Sequence, residues 1–256
     1  MKTRLFVIVV IGFCFSLQFV LSQEFNPQIY FQKGNEFYSK GDFRKAVEHY
    51  EKILNSGYRS KDVLFNLGNC FYRLGEYHKS ILYYERALIL DPFDEDVRFN
   101  LQMAKLHNVD KIEEIPKFFL IQWWENIRDT LSSKQWAILG LISIWIASIA
   151  LITFLFVFSS GTRKLLFGLG VFFIITFLFA TILGISRYRY ETNNNYAIVF
   201  SVNSYIKSSP EDGSTDLFIL HQGTKVEILD EIGNWYKIRI ANGNIGWIKK
   251  SDIERI

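Results

Sequence analysis

The chain has 256 residues, of which 49% are hydrophobic and 17% aromatic, and its formal net charge is +3. This length accommodates one or two ordinary domains, and such a hydrophobic content is high for a soluble protein. A charge near neutrality, without a dense block of Lys or Arg, argues against a nucleic-acid partner bound through phosphate neutralisation. Cys14 and Cys70 are the only cysteines, so a mature chain that has lost Cys14 has no intrachain disulfide.

The N-terminal segment has the features of a secretory signal peptide over residues 1–22. Lys2 and Arg4 form a basic start, an apolar run follows over residues 5–21, and cleavage is expected near Ser22. The alternative is an uncleaved signal anchor. In either case the sequence predicts that the region after the leader leaves the cytoplasm.

The region 27–108 matches itself at a constant spacing of 34 residues. It pairs Gly34 with Gly68, Phe37 with Phe71, Gly41 with Gly75, Phe43 with Tyr77 and Tyr50 with Tyr84. Asn26 and Pro27 are a helix start, with a capping side chain before proline at the first helical position. These residues resemble the tetratricopeptide repeat, a pair of helices that recurs with this same period. The resemblance implies an all-α solenoid of two to two and a half repeats with a concave, peptide-binding face.

A second periodic set lies outside the packing consensus and is predicted to bind a partner. Its members are Phe31, Asn35, Tyr38, Phe65, Asn66, Asn69, Tyr72, Phe99 and Asn100. In tetratricopeptide folds these positions generally line the concave groove. Asn can bond both the N–H and the C=O of an extended peptide, and aromatic rings add apolar contact. The alternative, for Phe31, Phe65 and Phe99 and also for Asn35 and Asn69, is ordinary packing between helices.

Two uncharged segments, 137–158 and 165–186, are predicted to be transmembrane helices. Each reaches roughly 33 Å as a helix, enough for a hydrocarbon core of about 30 Å. The link 159–164 is too short for a domain, so the two helices form a hairpin. Arg163 and Lys164 suit a cytoplasmic link, but Lys134, Arg187 and Arg189 flank the other end, so the charges alone do not decide the orientation. Together with the exported leader, this predicts an inner-membrane protein with both polar regions in the periplasm.

The segment 117–134, which precedes the first apolar segment, is predicted to be a juxtamembrane amphipathic helix. Trp123, Trp124 and Trp136 cluster at this end of the hairpin, and Trp side chains are enriched at the depth of lipid headgroups. The alternative is an ordinary packing helix against the repeats.

Residues 196–256 change to short segments rich in β-branched and aromatic residues, separated by glycine and asparagine. They resemble a bacterial SH3 domain in Gly223-Thr224-Lys225-Val226, Gly233-Asn234-Trp235-Tyr236-Lys237-Ile238 and Gly243-Asn244-Ile245-Gly246-Trp247-Ile248. The resemblance implies an all-β SH3-like barrel, with Lys207, Trp235 and Trp247 as a possible ligand groove. The alternative is that both tryptophans are core or edge residues.

Residues typical of catalysis are scattered. The four histidines lack the spacing of a metal site, and Cys70 has no obvious activating base. The sequence therefore predicts no enzyme activity, no cofactor and no metal.

The order of leader, repeats, membrane hairpin and barrel resembles the E-type proteins of bacterial aerotolerance (Bat) operons. That resemblance implies a non-catalytic inner-membrane scaffold for envelope or oxidative-stress tolerance. It also implies membrane-anchored Bat partners with von Willebrand A-type domains. The first alternative is a cell-wall tether, in which the barrel holds peptidoglycan. The second is an accessory subunit of a membrane enzyme.

Overall fold

The computed structural model of the chain describes residues 25–113, 115–192 and 195–256. The predicted signal peptide, residues 1–22, therefore lies outside the described residues. The chain divides into two compact units, of which the first extends to Arg59 and the second runs from Ser60 to Ile256. Its architecture is an N-terminal region of repeat helices, two long apolar helices and a C-terminal antiparallel sheet, as the sequence predicts.

The first unit contains the helices α1 (Pro27–Ser39) and α2 (Phe43–Asn55). Each begins at a capping side chain, because Asn26 accepts from the Gln28 N–H at 3.0 Å and Asp42 accepts from the Lys45 N–H at 3.4 Å. The turn between them passes through Gly41, whose φ is +78°. The two helices pack against each other, and α2 contributes the buried residues Ala46, Tyr50 and Ile53.

The second unit opens with α3 (Lys61–Arg73), α4 (Tyr77–Leu90) and α5 (Glu95–Lys105). Capping side chains begin α3 and α5, since Ser60 accepts from the Val63 N–H and Asp94 from the Val97 N–H, whereas Glu76 before α4 makes no such bond. Helix α4 packs against both α3 and α5. The residues buried among these helices include Leu64, Leu67, Phe71, Ile81, Tyr84, Ala87, Val97 and Leu101.

The two long helices are α7 (Ser133–Phe156) and α8 (Ser160–Thr192), and both are long and apolar enough to cross a membrane. They pack together through small buried side chains, which let the two backbones approach closely. These are Gly140, Ser143, Ala147 and Ala150 on α7 and Gly170 and Ala180 on α8. The predicted link 159–164 needs correction: α8 begins at Ser160, so only residues 157–159 separate the helices, because helical hydrogen bonding continues through the polar segment.

A shorter helix than predicted precedes the hairpin: α6 (Phe119–Asp129) covers the middle of the segment 117–134. Trp124 and Ile127 pack against Trp136 and Leu183. Helix α6 therefore contacts the end of the hairpin where α7 begins and α8 ends, which we call its outer end. The indole N–H of Trp136 donates to the carbonyl oxygen of Arg128 at 3.0 Å. Other side chains of α6 stay exposed, including Phe119, Leu120 and Trp123.

The C-terminal region is a seven-stranded antiparallel sheet that fits an SH3-like barrel. Its strands are β1 (Tyr196–Val199), β2 (Asn203–Lys207), β3 (Asp216–His221), β4 (Lys225–Ile232), β5 (Trp235–Arg239), β6 (Ile245–Lys249) and β7 (Ile253–Arg255). Their order in the sheet is β3-β2-β6-β5-β4-β1-β7. Alternate side chains face one apolar core, which contains Ala197, Val199, Ile206, Leu220, Val226, Ile228, Ile238 and Ile248.

Candidate partner-binding surfaces

The first repeat holds its predicted groove asparagine in place with a buried tyrosine. The Tyr50 hydroxyl donates to Asn35 Oδ1 at 2.6 Å. Tyr50 reaches this position because its ring lies directly over Gly34, where any Cβ atom would overlap the ring. The Phe31 ring is 6.0 Å from the Tyr50 ring, and Tyr38 contacts Phe43 edge-on at 5.2 Å.

The second repeat builds the same arrangement from the equivalent residues. The Tyr84 hydroxyl donates to Asn69 Oδ1 at 2.6 Å, and the Tyr84 ring lies over Gly68. The Phe65 ring is 6.0 Å from Tyr84, as Phe31 is from Tyr50. Tyr72 contacts Tyr77 edge-on at 5.5 Å, in the place that Tyr38 and Phe43 occupy in the first repeat. Each repeat therefore forms this local site from its own residues.

In the second repeat, the carboxamide oxygen of Asn69 is already occupied. Asn69 Oδ1 accepts from Tyr84 and also from Asn100 Nδ2 at 2.9 Å. Both lone pairs of that oxygen are then used, so Asn69 is not an acceptor for a peptide N–H. What the side chain offers a partner is its NH₂ group as a donor. Tyr84 is 1% exposed, so its fixed ring sets the orientation of the carboxamide.

The remaining predicted groove residues differ in exposure. Phe99 is 62% exposed, whereas Phe65 is half-buried against Tyr84. Asn66 and Asn100 are half-buried on α3 and α5. Tyr77 stacks on His107 with ring centroids 3.7 Å apart, which extends the aromatic surface of the second repeat toward the end of α5.

The three predicted groove residues of the barrel lie on neighbouring strands. Lys207 is paired with Trp247 across β2 and β6, and Trp235 and Trp247 are diagonal neighbours across β5 and β6. However, Trp235 and Trp247 are only 8% and 9% exposed. Lys207 Nζ is 2.6 Å from Asp216 Oδ1 and donates to the carbonyl oxygen of Ser214. Burial of both rings favours the structural alternative for the tryptophans.

A buried carboxylate that the sequence reasoning missed links the second repeat to the barrel. Glu85 on α4 has an 8% exposed side chain, and its oxygens lie 2.9 Å from Lys105 Nζ and 2.6 Å from Lys225 Nζ. Burial alone would raise the pKa of Glu85, but the charges and hydrogen bonds of Lys225 and Lys105 outweigh it and lower the pKa to about 2. The site therefore joins α4, α5 and β4 through a carboxylate that stays ionised.

A second polar contact ties the segment after α5 to the barrel. The Asp110 carboxylate accepts from the backbone N–H of His221, from its Nδ1 and from the Thr224 hydroxyl, each at 2.7 Å. Burial opposes ionisation of Asp110, yet these hydrogen bonds hold its pKa below the ordinary value. Asn108 Nδ2 adds a bond of 3.0 Å to the carbonyl oxygen of Gly223.

Arg187 connects the outer end of the hairpin to the repeat. Its side chain is 1% exposed and donates to the carbonyl oxygen of Ile89 at 2.6 Å. It also forms ion pairs with Asp129 at 3.1 Å and Glu191 at 2.9 Å. In the sequence, Arg187 only marks positive charge after an apolar segment. Since the partners come from α4, α6 and α8, periodicity within any one element gives no signal for this site.

The Cys70 thiol is fully buried on α3, and burial raises its pKa to about 12. With so high a pKa the thiol stays protonated at neutral pH, and a protonated thiol is a poor nucleophile. Cys70 is therefore a small core residue of the second repeat.

Comparison with known families assigns two parts of the chain. Residues 31–95 match the family described as Tetratricopeptide repeat, and residues 202–254 match the family described as Bacterial SH3 domain. A comparison with curated proteins finds no match. Both matching families are typically non-catalytic interaction modules, which indicates binding of proteins or, through the barrel, of cell wall.

Proposed function

We propose that this protein is a non-catalytic scaffold of the bacterial inner membrane, anchored by the hairpin α7–α8 with the repeats and the barrel in the periplasm. The two apolar helices support the anchoring, and the two family matches support a binding role. The basic residues Arg163 and Lys164 between the apolar segments support a cytoplasmic hairpin tip.

The observation that carries the proposal is the tyrosine–asparagine pair built twice, as Tyr50–Asn35 and Tyr84–Asn69. A buried tyrosine that orients an asparagine on the first helix of each repeat is suited to gripping an extended chain. In this proposal the NH₂ group of Asn69 donates to a backbone carbonyl of the partner segment. Phe99 and the neighbouring rings supply apolar contact.

The second repeat, the barrel and the outer end of the hairpin are joined through Glu85, Asp110 and Arg187. These contacts restrict motion of the barrel relative to the second repeat. A preorganised surface loses less conformational entropy when it binds. The restricted motion also lets a scaffold hold its partners at a defined distance from the membrane.

The proposed partners are membrane-anchored proteins with von Willebrand A-type domains, and the process is aerotolerance. The order of modules, which is similar to that of the E-type Bat proteins, supports this choice. Crosslinking of the chain in its native membrane, followed by mass spectrometry, tests it. Recovery of such domains supports the assignment, and their absence among crosslinked proteins contradicts it.

Co-purification of partners with the full chain tests the groove. The double variant Asn35→Ala/Asn69→Ala is expected to lower partner recovery at least about fivefold, because each lost hydrogen bond is worth about 1 kcal/mol. Tyr84→Phe keeps the ring but removes the orienting hydroxyl, and a smaller loss is expected. Asn55→Ala, at the exposed end of α2, is the matched control. Recovery equal to the unaltered chain in the double variant would remove the groove from the proposal.

Orientation is tested by labelling single cysteines in a Cys14→Ser/Cys70→Ser background with a membrane-impermeant maleimide. Ser39→Cys lies at the end of α1, and Thr162→Cys lies at the hairpin tip. In cells with a permeabilised outer membrane, the first is expected to react and the second to react only after the inner membrane is opened. The reverse pattern would place the repeats in the cytoplasm.

The family match of the barrel supports a second candidate, a peptidoglycan tether. Sedimentation of the full chain with purified sacculi separates the two. A scaffold stays in the supernatant, whereas a tether pellets with the sacculi and is released when they are digested. The near-complete burial of Trp235 and Trp247 disfavours an aromatic platform for sugar rings.

A further inference from the structure

The turn between α7 and α8 forms a pocket of about 370 Å³, which we call the tip pocket. Its lining combines two basic side chains, one hydroxyl and three aromatic rings: Arg163, Lys164, Ser160, Phe154, Phe158 and Phe167. Polar and apolar groups are thus brought together at the turn of the hairpin.

The charge of the tip pocket is not balanced by the chain around it. The sequence contains no Asp or Glu between Asp129 and Glu191. In the described parts of the chain, neither Arg163 nor Lys164 has a carboxylate within ion-pair distance. Arg187, on the same helix, is paired with both Asp129 and Glu191. On α8, therefore, Arg187 is paired with two carboxylates, whereas Arg163 and Lys164 at the other end are not.

Aromatic contact holds one of these cations in position. The Arg163 guanidinium lies 4.9 Å from the centroid of the Phe154 ring, within the range of a cation–π interaction. The Phe167 ring is 6.0 Å from Phe154, and the Phe158 side chain is fully exposed. The guanidinium keeps its donors for an anion while the rings present an apolar surface beside it.

We propose that the tip pocket binds an anionic phospholipid. Arg163, Lys164 and the Ser160 hydroxyl contact the phosphate, and Phe154, Phe158 and Phe167 contact the start of an acyl chain. This inference rests on the proposed membrane placement of the hairpin, which sets the pocket at the depth of lipid headgroups. Basic pockets between helices on the cytoplasmic side are suited to such headgroups.

Free phosphate and a lipid headgroup share the chemistry that the cations recognise. The rings distinguish the two, because inorganic phosphate gives them nothing to contact. A phospholipid uses both halves of the pocket, so it is expected to compete much more strongly than inorganic phosphate at equal concentration.

The test reconstitutes the full chain in vesicles of phosphatidylethanolamine with phosphatidylglycerol, then extracts it gently and measures retained lipid by mass spectrometry of the intact protein. The unaltered chain is expected to retain phosphatidylglycerol in preference to phosphatidylethanolamine. Arg163→Gln and Lys164→Gln are each expected to lower that preference about fivefold. Lys134→Gln, a basic residue near the opposite end of the hairpin, is the matched control. The vesicles have the same composition in both leaflets, so the direction of insertion does not affect the result.

The outcomes separate this inference from the membrane proposal. A chain that alkaline carbonate strips from the vesicles contradicts the membrane placement itself. A chain that resists carbonate but retains both lipids equally overturns only the lipid site. Equal loss in Lys134→Gln and Arg163→Gln would mean unspecific charge attraction and would also overturn it. Displacement of phosphatidylglycerol by inorganic phosphate at equal concentration would overturn it as well, since it would show an anion site without lipid selectivity. Phe154→Leu, which keeps both charges, is expected to give an intermediate loss of preference.

Discussion

The two repeats have the same sequence period and the same internal packing, yet one position has a different role in each. Glu51 on α2 and Glu85 on α4 occupy equivalent places in the two repeats. Glu51 is half-buried, whereas Glu85 is enclosed between Lys105 and Lys225. The charges around Glu85 come from α5, which supplies Lys105, and from the barrel strand β4, which supplies Lys225. Repetition thus specifies the inside of a repeat, while the outward surface of its second helix depends on what the rest of the chain places there.

Replacing the two glutamates tests this difference most directly. Glu85→Ala is expected to lower the free energy of unfolding by about 3 kcal/mol, because it leaves two lysines near a buried site without their carboxylate. Glu51→Ala is expected to cost less than about 1 kcal/mol, because solvent screens a half-exposed charge. Urea unfolding of the purified chain measures both. Equal losses would show that Lys105 and Lys225 do not make the two positions different.

The contribution of Glu85 to stability also depends on pH. The pKa of Glu85 is about 2 in the folded protein, below its ordinary value of 4.5. Its contribution is therefore complete above about pH 4.5, decreases as the pH falls, and is absent below about pH 2. It amounts to roughly 3 kcal/mol at neutral pH.

The stability difference between the unaltered chain and Glu85→Gln should shrink across this range as the pH is lowered. A difference for Glu85→Gln that stays constant from about pH 6 to about pH 2 would contradict the low pKa.

Adding a methyl group at the glycines beneath the tyrosines tests what the repeats share. A Cβ atom at Gly34 or Gly68 would overlap the ring of Tyr50 or Tyr84. Gly34→Ala and Gly68→Ala are each expected to cost about 1–3 kcal/mol, because overpacking displaces a buried ring. Thermal unfolding followed by circular dichroism measures both changes. The substitution Gly161→Ala, at a position with open space, is the control. A cost in only one repeat would show that the two cores are not equivalent.

Thiol labelling compares the accessibility of equivalent positions in the two repeats, and no change in stability is expected. Cys70 is buried and the pKa of its thiol is about 12, so in a Cys14→Ser chain it should not react with maleimide at neutral pH until the second repeat unfolds. The equivalent position of the first repeat is Glu36, whose side chain is 59% exposed. A cysteine introduced by Glu36→Cys should react at once. Rapid reaction of Cys70 in the folded chain would contradict the close packing of α3.

The parts of this protein that follow from sequence are those set by local periodicity. The constant spacing of matched residues predicts the repeats. Each helix pair needs a glycine beneath its tyrosine ring, so this glycine recurs once in each repeat. The uncharged segments 137–158 and 165–186 predict two long apolar helices. Short segments rich in β-branched and aromatic residues, separated by glycine and asparagine, predict the barrel. Each signal lies within one element or one helix pair, so one sequence suffices to detect it.

The tertiary structure alone decided where charged side chains far apart in sequence are brought together. Lys225 contacts Glu85 across 140 positions of the chain, and Arg187 contacts Ile89 across 98, and neither pair leaves a periodic trace. The structure also decided how Asn69 bonds, because its carboxamide oxygen is used by Tyr84 and Asn100. The physical reason is that the energy of a buried ion or hydrogen bond depends on the distance and burial of its partners, which only the assembled fold determines.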